Sequence, residues 1–208
     1  MTHPTQIRNW LTIGIEQPVG SMNEDFYYDK KNNQFFSIVL TDQFMLDKNL
    51  NLANDVTTTY TKNQENSIID RLRRIELNDP TIVSIERISL DERKFFMQQF
   101  VDNLNNNDLT KILQQRIYNQ DYSTKFDFYF GNEADEVTRQ NWEQQKNFFL
   151  QEKVDTFLNL NNINIDTVTL WDVEANGSIT LHLTKNDEAN NDAIEDTIEK
   201  KKPWWKFW

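Results

Sequence analysis

The residues best suited to recognition chemistry lie at the C-terminal end of this sequence. Residues 200–208, here called the tail, read Lys-Lys-Lys-Pro-Trp-Trp-Lys-Phe-Trp and hold three of the six tryptophans. Tryptophan is enriched among residues that dominate binding energy, and exposed aromatic rings are a liability, so the tail is expected to be covered by another surface. The candidate partner-binding residues are Lys201, Lys202, Pro203, Trp204, Trp205, Lys206, Phe207 and Trp208.

Three uses of the tail fit its composition. It can serve as a peptide ligand for a protein partner or a neighbouring copy of the chain, reaching out on an acidic tether. It can insert at a membrane surface, where indole rings lie at headgroup level and lysines attract anionic lipid. It can also fold back onto its own acidic body. Pro203 suits all three, because it blocks a helix and presents the next residues as an extended segment.

Acidic side chains form a second candidate group. Glu133, Asp135 and Glu136 lie close together in sequence and have the ligand type that Mg²⁺ or Ca²⁺ prefers. Acidic residues in the first turn of a helix are also stabilised by the helix dipole, and this interpretation is favoured. The sequence therefore predicts no metal and no cofactor here, and an unrecognised carboxylate-dependent enzyme remains a second alternative.

Other catalytic arrangements are missing from the sequence. There is no cysteine, and the two histidines, His3 and His182, cannot build a catalytic triad or an HExxH zinc site. The four glycines are scattered, so neither a phosphate-binding loop nor a dinucleotide fingerprint is present. A non-enzymatic function is favoured, with no small-molecule substrate identified.

The charge balance argues against nucleic-acid binding. The formal net charge is −11, and without the four lysines of the tail 18 basic residues face 33 acidic ones. Such a body repels phosphate backbones. Two local exceptions have ordinary interpretations. Arg71, Arg73 and Arg74 are read as a solvated helix face, and the aromatic run at 126–130 is read as core rather than as a platform for stacking bases.

Location is predicted from what the sequence lacks. The N-terminal residues show no basic segment followed by a long apolar core, and no window approaches the ~20 apolar residues of a membrane span. Absence of cysteine is consistent with a reducing compartment. We expect a cytoplasmic protein, peripheral at a membrane or part of a larger assembly.

The elements that must position these residues follow from periodicity. Helical spacing predicts helices at 5–15, around 68–75, from Ser89 to about 104 after a capping box, from Asp108 to 117, a short one at 126–130, and a long one at about 135–160. Alternation predicts a hairpin formed by 25–29 and 34–41, a weak strand at 55–60 and a strand at 82–88. Asn176-Gly177 between alternating runs predicts a second hairpin.

These elements add up to an α+β fold. A small sheet from the N-terminal hairpin is expected to pack on a helical half of about four helices, followed by a C-terminal hairpin and the tail. The predicted divisions are an α+β domain at 1–165, a hairpin extension at 166–185, an acidic tether at 186–199 and the tail at 200–208.

Residues 20–165 also resemble a known family. The hairpin with Tyr27-Tyr28-Asp29, the helix opening at Ser89 and containing Phe96-Met97, and the run Lys125-Phe126-Asp127-Phe128 are similar to the uncharacterised bacterial protein family numbered zero-one-five-eight. Asp127 stands where that family usually has basic residues. The resemblance implies an α+β domain of bacterial or phage origin and no established activity. With it, the sequence predicts an intracellular interaction protein that uses the tail, or alternatively one that uses the tail at a membrane.

Overall fold

The computed structural model describes residues 3–18, 24–53, 56–120, 123, 125–171, 179–181 and 197–198. It has the predicted α+β class. The helices are α1 His3–Glu16, α2 Lys62–Glu76, α3 Leu90–Asp102, α4 Asn107–Tyr118 and α5 Glu136–Leu160, with a 3-10 helix at Leu40–Met45. The strands are β1 Glu24–Asp29, β2 Gln34–Val39, β3 Val56–Thr58, β4 Ile82–Ser84, β5 Thr169–Leu170, β6 Ile179–Leu181 and β7 Thr197–Ile198.

These elements fall into two compact units, each assembled from two stretches of chain. In the described residues, unit 1 takes α1 from Met1–Ser21 and α3, α4 and α5 from Ile85–Asp166. Unit 2 takes β1 to β4 and α2 from Met22–Ser84, and β5, β6 and β7 from Thr167–Trp208. The segments of the helical unit and those of the sheet unit therefore alternate along the chain.

Unit 2 is built on the predicted N-terminal hairpin, which the structure confirms. β1 and β2 pair antiparallel with Asp29 opposite Gln34, and Asn33 in the turn has φ +48°. The sheet order is β4-β1-β2-β5, and β5 is parallel to β2. The core of unit 2 combines residues of α2 with residues of the strands and the 3-10 helix. It contains Phe36, Ile38, Met45, Val56, Tyr60, Ile68, Ile69, Leu72 and Trp171.

The predicted C-terminal hairpin is wrong in the described residues. β5 pairs with β2 of the four-stranded sheet, whereas β6 pairs antiparallel with β3 and with β7 in a three-stranded sheet. Alternation and a turn signal do not specify the strand with which a segment pairs. β5 and β6 therefore pair at the edges of two different sheets and not with each other. The Asn176-Gly177 turn lies outside the described residues, and β7 falls within the stretch predicted as an acidic tether.

Unit 1 confirms most of the predicted helices. Ser89 accepts a hydrogen bond from the Glu92 amide, and the Glu92 carboxylate accepts one from the Ser89 amide, so the capping box at α3 is present. α4 begins at Asn107, one residue before the predicted start at Asp108, and its N-cap is Asn106. The predicted strand at 82–88 is shorter than expected. It stops at Ser84, and Ile88 then donates its amide hydrogen to the Ile15 carbonyl at the end of α1.

The short helix predicted at 126–130 is wrong. Residues 125–130, here called the phenylalanine strap, have no regular secondary structure, and their burial alternates as in an extended chain. Phe126, Phe128 and Phe130 are buried, while Tyr129 is 77% exposed. Their rings contact Phe100 of α3 and Trp142 of α5 and so fill the space beside these helices. Tertiary packing, not local periodicity, sets the conformation of this segment.

Candidate functional site

The tail lies outside the described residues, so the predicted partner-binding positions Lys201, Lys202, Pro203, Trp204, Trp205, Lys206, Phe207 and Trp208 have no structural description. The other candidates from the sequence, His182 apart, can be placed.

The acidic group before α5 is the start of a helix. Asp135 is the N-cap, and its carboxylate accepts a hydrogen bond of 2.7 Å from the Thr138 amide, which lowers the pKa of Asp135. Glu136 accepts a hydrogen bond of 3.0 Å from the Gln140 side chain one turn later. Glu133, Asp135 and Glu136 are all exposed. These contacts support the favoured interpretation of acidic residues in a first helical turn.

In the described part of the chain, no group of three His, Asp or Glu side chains is placed to hold a metal ion.

The phenylalanine strap presents little aromatic surface for stacking bases. Its three phenylalanines point inward, and the exposed Tyr129 already has Arg116 over its ring, with 4.9 Å between the guanidinium carbon and the ring centre. The expectation that these aromatic residues belong to the core is confirmed for Phe126, Phe128 and Phe130. Tyr129 is the exception.

The arginines of α2 are not a solvated face, which corrects the sequence interpretation. Arg71 and Arg74 are buried, with relative exposures of 3% and 8%. Arg74 donates two hydrogen bonds to the Asp29 carboxylate, at 2.8 and 2.9 Å, and a third to Asp79 at 2.9 Å. These bonds raise the pKa of Arg74. Arg71 and Arg74 are thus the buried basic side of an ion-pair network in unit 2.

Asp29 is the acidic centre of that network and is fully buried. Burial by itself would raise the pKa of Asp29, but the hydrogen bonds from Arg74 and Asn32 outweigh it, and the pKa is lowered. The amides of Lys31 and Asn32 also donate to its carboxylate. Asp29 therefore joins the β1–β2 turn to α2, and its role is to hold these elements together.

Arg71 lies in an aromatic stack beside this network. Its guanidinium carbon is 4.6 Å from the ring centre of Phe36 and 4.8 Å from that of Trp171. It also donates a hydrogen bond to the Gln34 side chain. Cation–π contacts of this kind are strongest when they are shielded from water. Arg71 thus ties α2 both to the hairpin and to the returning segment that carries Trp171.

Unit 1 contains a charged cluster that sequence reasoning missed. The Lys146 ammonium lies 3.8 Å from a carboxylate oxygen of Glu16 in α1, 3.6 Å from one of Asp127 in the strap and 3.6 Å from one of Glu143 in α5. Trp142 donates its indole N–H to Asp127 at 2.7 Å. The Lys146 side chain thus forms ion pairs with carboxylates from two helices and from the strap.

Glu16 has a raised pKa in this cluster. Burial raises the pKa of Glu16, the positive charge of Lys146 opposes the rise, and the negative charge of Asp127 adds to it. The Glu16 side chain is 34% exposed, so water reaches it. Raised carboxyl pKa values occur at catalytic sites and in structural ion-pair networks alike. The contacts with Lys146, which is itself buried, match the structural case.

Arg93 completes the polar interior of unit 1 and is fully buried. It donates to the Ile88 carbonyl at 3.2 Å and to the carbonyls of Glu16 and Gln17 at 2.8 and 2.5 Å. The last carbonyls of a helix lack partners within the helix, so Arg93 caps the C-terminal end of α1.

The sequence did carry a signal for the lysine cluster. Trp142, Lys146, Leu150, Val154 and Leu158 are spaced by four residues, and all five are buried. A lysine at an apolar position of such a stripe indicates a buried ammonium, which requires acidic partners. Nothing in the sequence indicates that those partners come from α1 and the strap, because they are far away along the chain.

Comparison with known proteins adds no function to this geometry. No protein-family model, no curated protein and no solved structure matches the chain. The resemblance of residues 20–165 to an uncharacterised family stays a prediction. Among the described helices, none combines the length and the apolar character needed to cross a bilayer.

Proposed function

We propose that this protein is a non-enzymatic, intracellular interaction protein of bacterial or phage type that binds a protein partner through its tail. The observation that carries the proposal is the concentration of three tryptophans and four lysines within nine residues of a chain whose net charge is −11. Tryptophan is enriched among the residues that dominate binding energy at interfaces, and lysine favours an acidic partner surface.

The described residues support a scaffold role for the rest of the chain. The buried Arg74 binds the buried Asp29, and the buried Lys146 lies 3.6 Å from the half-buried Asp127, in each case between elements of the same unit. Asp135, from the candidate acidic group, caps a helix. These charges stabilise the fold, and the tail remains as the segment suited to recognition.

The test uses the three tail tryptophans as probes. Trp10, Trp142 and Trp171 are buried, so a polar quencher such as iodide should reach them little and should report mainly on Trp204, Trp205 and Trp208. We compare the full chain with a variant in which these three are alanine. A partner recovered from host extract is identified and purified, and its addition should protect the wild-type fluorescence from iodide. The alanine variant should not recover the partner.

Two other results would replace the proposal. Fluorescence protected without any partner, together with a lower melting temperature of the alanine variant, would show that the tail folds onto its own body. Binding to vesicles of anionic lipid that is lost in the alanine variant and weakened by salt would show membrane association. Equal partner recovery by the wild type and the variant would refute the role of the tail.

A further inference from the structure

The outward face of the first half of α5 carries no charge. Over residues 137–148 the exposed positions are Val137, Gln140, Asn141, Glu143, Gln144, Gln145, Asn147 and Phe148. About 100° separates successive residues of a helix, so the seven uncharged side chains of this set form one face. Glu143 projects to the side of the helix that carries Lys146, whose ammonium lies 3.6 Å from its carboxylate. In a chain with 26% charged residues, such a surface is distinctive.

Two apolar side chains mark the ends of this face. Val137 is 65% exposed and Phe148 is 67% exposed. They lie on one line with Asn141 and Gln144, at spacings of four, three and four residues. On the opposite side of the helix, Trp142 and Lys146 are buried in unit 1. The face is thus an exposed stripe with an apolar residue at each end and two amides between them.

The spacing of this stripe is the same when it is read in either direction. A two-fold axis that pairs two α5 helices antiparallel would bring Val137 against Phe148 of the other copy, and Asn141 against Gln144 of the other copy. A two-fold contact requires this kind of self-complementarity. We propose that this face is a self-association surface, and that its partner is the same face of a second copy of this chain.

Charge favours a second copy at this face over other faces of the protein. Two chains that each carry a net charge of −11 repel one another, and the repulsion is smallest where the meeting surfaces are uncharged. The amides of Asn141 and Gln144 each carry donors and acceptors, so they are able to hydrogen bond with each other in the pair. The proposal does not depend on the function of the tail.

The size of the face sets the expected strength. It covers about three turns of helix, and a contact of that length falls at the low end of interface sizes, below ~1,200 Å². We therefore expect a weak and reversible dimer that is visible in a concentration series. Sedimentation velocity or light scattering of the full chain should show a mass rising from monomer towards dimer.

A charge placed at one end of the stripe should disrupt the dimer. Phe148→Glu introduces a carboxylate opposite Val137 of the other copy and should weaken dimerisation roughly tenfold or more. The matched control is Phe95→Glu in α3, because Phe95 is 64% exposed and lies on another helix. The control should dimerise like the wild type, and circular dichroism should show that both variants are folded. Equal dimerisation of the two variants would overturn the proposal.

Orientation gives a second and independent test. The double variant Val137→Lys with Phe148→Glu places opposite charges against each other at both ends of an antiparallel pair and should restore the dimer that each single change weakens. Since the chain has no cysteine, Val137→Cys can also be mixed with Phe148→Cys. The mixture should form a disulfide-linked heterodimer. Val137→Cys alone should not cross-link, because eleven residues at ~1.5 Å put the two positions about 16 Å apart.

Each outcome of these experiments decides the proposal. A wild-type chain that stays monomeric at its highest soluble concentration would refute it. Cross-linking of Val137→Cys with itself, or failure of the double charge variant to restore association, would show that the antiparallel pairing is wrong. Loss of the three tail tryptophans should leave this dimer unchanged, so the result is separable from the function proposed for the tail.

Discussion

Replacing Arg74 by methionine tests whether the buried ion pair of unit 2 stabilises the protein by charge or by packing. Methionine keeps much of the aliphatic stem and removes the guanidinium. The change deletes the two hydrogen bonds of 2.8 and 2.9 Å that Arg74 donates to Asp29. Asp29 is then left ionised, fully buried and without its main partner.

The magnitude follows from the contacts that remain. Removing one partner of a buried ion pair costs about 3–5 kcal/mol, because the other charge loses its compensation. Asp29 would still accept a hydrogen bond of 2.6 Å from the Asn32 side chain and one of 3.0 Å from the Lys31 amide. Arg71 would stay 3.7 Å away. We therefore expect the lower end, a loss of about 3 kcal/mol in the free energy of unfolding.

The pH dependence of this loss separates charge from packing. The pKa of Asp29 is lowered in the folded wild type, so its contribution to stability is present above the unfolded pKa and is lost as pH falls through the folded pKa. Without Arg74, burial dominates and the pKa of Asp29 should rise above its ordinary value of ~3.9. Protonation then relieves the buried charge. The difference between wild type and variant should therefore shrink as the solution is acidified.

Urea unfolding at a series of pH values measures this difference, and hydrogen exchange of β1, β2 and α2 assigns it to unit 2. The matched control is Arg73→Met on the same helix, since Arg73 is half-buried and hydrogen bonds to the Leu50 carbonyl and to Asn51. The control should lose much less stability. The double variant Asp29→Asn with Arg74→Met should recover part of the loss. A deficit that stays constant with pH would refute the electrostatic account.

Three further predictions follow from unit 1. Glu16→Gln should leave the melting temperature at neutral pH unchanged or raise it. The pKa of Glu16 is raised in the folded state, so its ionisation above the unfolded pKa destabilises the fold, and this destabilisation is relieved as pH falls. Scanning calorimetry at two pH values measures this effect, and a lower neutral melting temperature would contradict it. Phe126→Ala should lower the free energy of unfolding, measured with urea, by about 3–5 kcal/mol, because the ring is 1% exposed and contacts Phe96, Trp142 and Phe149. A loss below ~1 kcal/mol would show that the strap is not part of the core. Ser89→Ala should cost about 1 kcal/mol through loss of the α3 cap, as measured by urea unfolding, and Ser89→Asp should retain most of the stability.

Local patterns in the sequence predicted the elements whose signals are short-range. The capping box Ser89–Glu92, the β1–β2 hairpin with its turn after Asp29 and the α5 helix after Asp135 all lie where the sequence indicates. In each case the interacting groups are within a few residues of each other, or the apolar stripe repeats over several turns. Such features need no information about the rest of the chain.

Contacts between segments that are distant in the sequence were not predicted, for a physical reason. The segment at 169–170 alternates as a hairpin strand would, yet it pairs with β2, because alternation states which face is apolar and not which edge is free. The phenylalanine strap has helical spacing over 126–130, yet it forms no helix, since three buried rings that pack beside Phe100 and Trp142 outweigh the local preference. The lysine of α5 indicates a buried charge without indicating its partners.

The sequence by itself determined the composition, the α+β class, the capped starts of α3 and α5 and the concentration of aromatic and basic residues in the tail, because these depend on residue types and short spacings. Tertiary structure alone decided that Arg71 and Arg74 are buried, that Lys146 meets Glu16 and Asp127, and that α5 keeps an uncharged outer face. Burial and charge pairing depend on which distant segments come together, and in this chain both compact units are assembled from separate stretches.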